Sequence, residues 1–137
     1  MSTIHLKVIT PKKIVLEEEV ASVSVPSTQG QITILPKHTN FFALLAEGII
    51  TIKKENDEDY LAIGGGYVET NGKELHILVS RAYGQDSIDE NLTKNAISNA
   101  EKILKDSKEK PDRDNAAALL RRSLIDMKLL RKRRRTS

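Results

Sequence analysis

The chain has 137 residues, 39% hydrophobic and 30% charged, with a net charge of +3 and no cysteine. This mix suits one ordinary folded domain or two small ones, and it excludes a disordered chain, a disulfide framework and thiolate metal sites. No apolar run approaches the ~20 residues that would cross a bilayer, and Met1 to Lys7 lack the charged-then-apolar pattern of an export signal, so the chain reads as soluble and unexported. With no Trp and two Phe, the core must be built from Ile, Leu and Val. Charge divides the chain: residues 1–86 hold 8 Lys/Arg against 11 Asp/Glu, whereas residues 87–137 hold 14 against 8.

In chain order, the first half shows short β-branched runs. Ile4-Leu6-Val8 alternates with polar neighbours, and Val23-Val25, Ile32-Ile34, Ile50-Ile52, Leu61-Ile63 and Leu75-Ile77-Val79 follow. Period two places one face of each run on a core. Breaks fall at Thr10-Pro11, Ser27 to Gly30, the charged stretch Lys54 to Asp59, Gly64-Gly65-Gly66 and Asn71-Gly72, the last pair favouring a type I′ hairpin. Strands at this spacing predict a sandwich or barrel.

From Ser87 the period becomes helical, with Leu92, Ala96, Ala100 and Ile103 forming one apolar stripe over 88–109. Ser87 to Glu90 fits a capping box, Ser87 taking a backbone N–H and Glu90 reaching back. Lys110-Pro111-Asp112 stops this helix and starts another over about 113–133, Asp112 being a good cap, with Ala117, Leu120, Leu124 and Met127 on one face. A short link makes the pair an antiparallel hairpin. The fold class expected is therefore α+β, an N-terminal antiparallel β-sandwich over 1–86 followed by an antiparallel two-helix hairpin over 87–137.

Chemistry-bearing constellations are sparse. His38 lies in a loop, where function concentrates, yet no second His or acid stands at triad or ligand spacing. His5 and His76 read as plain strand positions. Gly64-Gly65-Gly66 precedes a strand, Tyr67 to Thr70, and not a helix N-terminus, so a bulge or close backbone approach is preferred to a phosphate cradle. Glu17-Glu18-Glu19 reads as a solvated turn or sheet edge. No catalytic residue and no metal ligand is assigned. From Arg121 to Arg135 there are eight cations against one acid, Asp126. Such a tail suits a frayed terminus or phosphate contacts, but no aromatic interleaves the cations and no reader module is present, which argues against nucleic acid. A small nucleic-acid-binding adaptor stays as the rival reading.

Several motifs carry a family resemblance. Thr10-Pro11 follows the first strand, Pro26 ends the next, and Ile34-Leu35-Pro36-Lys37-His38 resembles a "hydrophobic-Leu-Pro-x-His" loop. Gly65-Gly66-Tyr67-Val68-Glu69 with Asn71, and the junction Gly84 to Asp89, complete an ordered match across residues 4 to about 130. Together they resemble the epsilon subunit of bacterial and chloroplast F-type ATP synthases, with Thr33 departing from a common second Gly.

The resemblance implies a non-catalytic rotor subunit that couples proton-driven rotation to ATP synthesis and restrains hydrolysis through its C-terminal helices. Residues 1–86 would bind the gamma subunit and the c-ring, with Leu35, Pro36 and His38 at the contact. Residues 87–137 would be regulatory, their Leu92, Ile103, Leu120 and Leu124 buried in the folded state. Arg121, Arg122, Arg131, Lys132, Arg133 and Arg134 would meet an acidic segment of the catalytic beta subunits in the alpha/beta head. Some members bind a regulatory ATP through Ile/Leu-Asp-x-x-Arg-Ala. Here Ile88 and Asp89 are kept, but Leu92 replaces the Arg and Thr93 the Ala, leaving Arg121 and Arg122 as substitutes, so no tight ATP cofactor is expected. Association with the membrane would be peripheral and through the complex alone, at the cytoplasmic face of a bacterial plasma membrane or the stromal face of a thylakoid.

Overall fold

The period-two runs fold as strands because each can bury one row of side chains while the other row meets solvent. The computed structural model describes residues 2–37 and 40–132, so His38 and the tail Arg133, Arg134 and Arg135 lie outside the described residues. Two compact units emerge, one running to Gly84 and the other spanning Gln85–Lys132.

The first unit holds β1 (Ile4–Ile9), β2 (Ile14–Val20), β3 (Ser22–Ser27), β4 (Gly30–Ile34), β5 (Phe41–Leu45), β6 (Gly48–Lys53), β7 (Glu58–Ile63), β8 (Gly66–Thr70), β9 (Glu74–Val79) and β10 (Ala82–Tyr83). Their order is β10-β7-β6-β3-β5-β8-β9-β1-β2, with β4 paired to β3. Neighbouring strands run antiparallel except β1 and β9, which pair in parallel from His5 opposite Glu74 to Ile9 opposite Leu78. The inward rows Ile4-Leu6-Val8, Val23-Val25, Ile50-Ile52 and Leu75-Ile77-Val79 meet Val20, Ile34, Leu45, Ile63 and Val68 in a single buried cluster free of aromatic rings. Each such side chain contributes about 1.5–3 kcal/mol on leaving water.

Lys54 closes the sheet on itself. Its Nζ lies 2.8 Å from Glu18 Oε2 and 3.0 Å from Asp59 Oδ2, joining β2 at one end of the strand order to β7 near the other. Burial pulls the Lys54 pKa down, but the hydrogen bonds to Glu18 and Asp59 outweigh it and leave the pKa raised. The edge reading of Glu17 to Glu19 thus describes β2, where Glu18 turns toward Lys54. Glycines do similar closing work. A Cβ on Gly66 would sit 2.0 Å from the Leu78 carbonyl oxygen, and one on Gly64 2.1 Å from Ser80 Oγ, while Gly65 has ordinary room. The close-approach reading therefore applies to two of the three.

The Asn71-Gly72 turn differs from expectation. Gly72 has φ 92°, but Asn71 is not at positive φ, and the Asn71 N–H donates to the Glu74 carbonyl. The central pair is therefore Gly72-Lys73, and positive φ at its first position is a type II′ feature. Asn71 instead uses Oδ1 to accept the Lys73 and Glu74 N–H groups at 3.0 and 2.8 Å.

The second unit comprises a 3-10 turn, Gln85–Ser87, then α1 (Glu90–Asp106) and α2 (Lys110–Leu130) packed along each other. Its caps correct two expectations. Ser87 belongs to the 3-10 turn, and the N-cap of α1 is Asp89, whose carboxylate accepts the Leu92 N–H at 2.9 Å; a carboxylate is the better partner for a helix's positive end. For α2, Glu109 holds the cap position without a side-chain bond and Asp112 lies in the first turn, because Pro111 needs no N–H partner and lets the helix start earlier. Arg113 Nη1 donates to the Leu104 and Ser107 carbonyls, fastening the link. The large apolar residues also depart from expectation: Leu92 is 68% exposed, Leu124 51% exposed, and Ile103 and Leu119 are exposed as well. The buried positions of the helices are Thr93, Ala100, Ala116, Ser123 and Leu129, mostly small residues that admit close helix approach.

The β1–β2 pair carries a pH-sensitive clamp. His5 Nε2 lies 2.7 Å from Glu17 Oε2 and Nδ1 2.9 Å from Glu19 Oε1, with Thr3 Oγ1 donating to Glu19 Oε2 at 2.9 Å. The hydrogen bond to Glu17, then that to Glu19, raises His5 above 6.5. Bonding to His5 holds Glu17 below 4.5, and bonding to Thr3 and then His5 does the same to Glu19. The histidine's stabilisation is full below pH 6.5 and fades as pH climbs through the raised value; that of the carboxylates is present above pH 4.5 and fades as pH falls through the lowered values. In thermal melts of the parent chain and His5→Gln, the difference in Tm should therefore peak between pH 4.5 and 6.5 and shrink on both sides; a difference independent of pH would contradict the clamp. Separately, Gly66→Ala should cost about 1–3 kcal/mol in denaturant melts, the scale of overpacking against backbone, and Gly65→Ala should cost less.

Candidate functional site

Among the described residues no group of three or more His, Cys, Asp or Glu is placed to hold a metal ion, and no helix is long and apolar enough to cross a membrane. What the chain offers is surface, in two places, one on each unit.

On the sandwich, β5 supplies it. Phe42 and Leu44 are two residues apart and so share a face, and they are 59% and 58% exposed. Register places Glu69 opposite Phe42 and Tyr67 opposite Leu44, and the Phe42 and Tyr67 rings stand 5.3 Å apart with a 32° tilt. Beside them runs a groove of about 490 Å³ between β5 and the β3–β4 turn, with Gln29, Ile32 and Phe42 in its wall. Neighbouring large apolar side chains on an outer sheet face mark an interaction surface. The sequence reading missed this pair because Phe41-Phe42-Ala43-Leu44-Leu45 shows no alternation. The available signal was that both phenylalanines of the chain stand together in one unbroken apolar run.

Of the loop residues singled out in the sequence, Leu35 is 55% exposed and Pro36 half-buried. Lys37 adopts φ 66°, and its N–H donates to the Gly72 carbonyl at 3.0 Å. That bond ties the loop after β4 to the β8–β9 turn and holds Leu35 on display.

On the hairpin, Asp89 is committed to α1: besides its carboxylate bond, its carbonyl accepts both the N–H and the Oγ1 of Thr93, at 3.0 and 2.8 Å. Ile88 is half-buried and donates its N–H to the Gln85 carbonyl at 3.1 Å. Arg121 and Arg122 are exposed on the middle of α2. The start of α1 is bonded through Gln85 to Leu129 and Lys132, so the two arginines stand about 10–12 Å back along α2, at 1.5 Å rise per residue. Arg131 is the exposed C-cap of α2, and Lys132 follows it half-buried. Lys94 and Ile97 of α1 meet Leu124, Met127, Lys128 and Arg131 around a groove of about 580 Å³, an apolar floor with three cations at its rim.

Comparison with known proteins agrees with this layout. The family model described as the ATP synthase delta/epsilon chain beta-sandwich domain matches residues 3–85. The ATP synthase epsilon chain of Nitratidesulfovibrio vulgaris is 32% identical over 127 residues, covering 93% of this chain and 95% of the relative. That of Moorella thermoacetica is 33% identical over 129 residues, covering 93% and 96%. A chain in the Euglena gracilis mitochondrial ATP synthase structure, with OSCP, F1 and c-ring, shares the fold with a TM-score of 0.73 at 21% identity, over 95% of this chain and 78% of that one. A sandwich matched along its whole length, with relatives matched over 93% of the chain, means that this chain belongs to the ATP synthase delta/epsilon chain family.

Proposed function

We propose that this chain is a non-catalytic subunit of the central stalk of an F-type ATP synthase, coupling rotation to ATP synthesis and restraining ATP hydrolysis through its helical hairpin. The observation that carries the reading is the match of relatives named ATP synthase epsilon chain over 93% of this chain, both units included. The sandwich, residues 1–86, contacts the gamma subunit and the c-ring. Leu35, Pro36 and His38 take part, and the exposed Phe42 and Leu44 extend the contact as an apolar patch that a partner would cover. Peripheral attachment through the complex follows, at the cytoplasmic face of a bacterial membrane or the stromal face of a thylakoid.

The hairpin, residues 87–137, works as a two-state brake. In one state α2 lies back along α1; in the other the helices extend and lay Leu92, Ile103, Leu119 and Leu124 on a partner. These side chains are already exposed in the folded hairpin, so extension gains their burial, about 1.5–3 kcal/mol each, against the loss of a seam of mostly small residues. Arg121, Arg122, Arg131, Lys132, Arg133 and Arg134 then meet an acidic segment of a beta subunit in the alpha/beta head. No tight regulatory ATP site is proposed, since Leu92 stands where a cation would serve the phosphates and Asp89 is engaged as a cap. The nucleic-acid reading gains no support from a net-acidic sandwich.

Deleting everything after Asp86 should leave a folded sandwich that still supports ATP synthesis in reconstituted enzyme, with inhibition of hydrolysis lost; inhibition unchanged by the deletion would refute the brake. Replacing Arg131 to Arg135 by Gln should weaken inhibition severalfold at about 50 mM salt and much less at about 500 mM, because surface attraction is screened over a Debye length. Equal weakening at both salt levels would rule out an electrostatic contact.

A further inference from the structure

The end of α2 poses a problem that its own sequence does not solve. After Leu130 come Arg131, Lys132 and further cations, with neither Gly nor Pro to stop the helix. Basic residues are good helix formers and suit a C-terminus, so continuation would be expected. Yet Lys132 is turned out of the helix, its N–H reaching back to the Leu129 carbonyl at 3.0 Å.

The turn coincides with an outside donor. Gln85 Nε2 donates to the Leu129 and Lys132 carbonyls, each at 2.8 Å. The last carbonyls of a helix lack partners within it, and here a side chain distant in sequence supplies them. Gln85 is itself anchored, because its carbonyl accepts the Ile88 N–H within the 3-10 turn that leads to the Asp89 cap. One amide therefore joins the base of α1 to the tip of α2, closing a loop that contains both helices.

We infer that Gln85 is the latch of the hairpin, a positioning residue whose amide caps α2 only while α2 lies folded along α1. The latch rests on the two-state reading above. A contact made in one state and absent from the other biases the equilibrium by its own worth, whereas the exposed leucines favour whichever state offers them a partner. Gln85 thus opposes extension, and the tail's cations stay withdrawn for as long as its two hydrogen bonds hold.

The test uses the full chain, alone and in reconstituted enzyme, with Gln85→Ala and Gln85→Glu. Detached from α1, a helix the length of α2 is marginal in water, so amide hydrogen exchange along Ala116 to Leu130 reports opening of the whole hairpin. Gln85→Ala should speed that exchange about thirtyfold, the loss expected for two hydrogen bonds of ordinary net worth, and leave the β-strand amides unchanged. Gln85→Glu should speed it further, since a carboxylate cannot donate and is repelled by the negative end of the helix. Both variants should inhibit ATP hydrolysis more strongly, in the same order. Unchanged exchange, or acceleration confined to the last turn, overturns the latch whatever the enzyme does. Faster exchange throughout α2 with unchanged inhibition also overturns it as a regulator. The chain ending at Asp86 then separates the causes: if its deletion abolishes inhibition, the brake stands and the latch alone is wrong, and if it does not, the brake has failed.

Discussion

A buried core of Ile, Leu, Val and little else, with Phe41 packed only against its edge, has to gain its density from backbone proximity, and much of the sandwich follows from that constraint. Ile, Leu and Val in the inward rows are short, so facing strands must come close before their side chains touch. Gly64 and Gly66 permit close pairing of neighbouring strands within the sheet, since a Cβ at either position would collide with Ser80 Oγ or the Leu78 carbonyl. Lys54 then draws Glu18 and Asp59 together from opposite ends of the strand order. The parallel seam between β1 and β9 belongs to the same closure, because a chain that leaves on β1 and returns much later as β9 can lay the two side by side.

The hairpin is built on a different principle. Its buried positions are mostly Ala, Ser and Thr, with Leu129 the large exception, while Leu92, Leu119 and Leu124 face outward. A seam of small residues packs closely but buries little apolar area, so the folded pair is held by modest terms besides that seam: the Arg113 bonds across the link and the Gln85 amide at the far end. An element held this way can be opened by a partner that covers four exposed apolar side chains, which is the physical condition for a two-state part in a machine.

The strands up to Tyr83 and the helices from Glu90 to Leu130 were legible as two classes of structure because period two and period 3.6 leave different traces in a linear chain. Strands such as β1 and β9 alternate cleanly, one row of each being buried against the cluster. β2 was read only as an edge, since Glu17 to Glu19 break the alternation at the end of the sheet. β5 was not read at all, as Phe41 to Leu45 are apolar on both faces. The resemblance to a family was carried by turn and loop residues spread from Thr10 to Asp89, and the comparisons agree with it.

Local chemistry, then, was settled by the order of residues alone: strand or helix wherever the period is clean, a break between two helices near Pro111 that the structure places at Ser107 to Glu109, an absence of thiol chemistry, a cationic end. What needed three dimensions was every relation between residues distant in the chain. Ser87 and Asp89 are both respectable caps on paper, and only the 3-10 turn that absorbs Ser87 chooses between them. Phe42 becomes a surface once β8 sets Tyr67 against it, and Gln85 becomes a cap once α2 has run out and back to meet it. Sequence encodes propensities that act over a few residues, whereas such pairings depend on where the backbone returns.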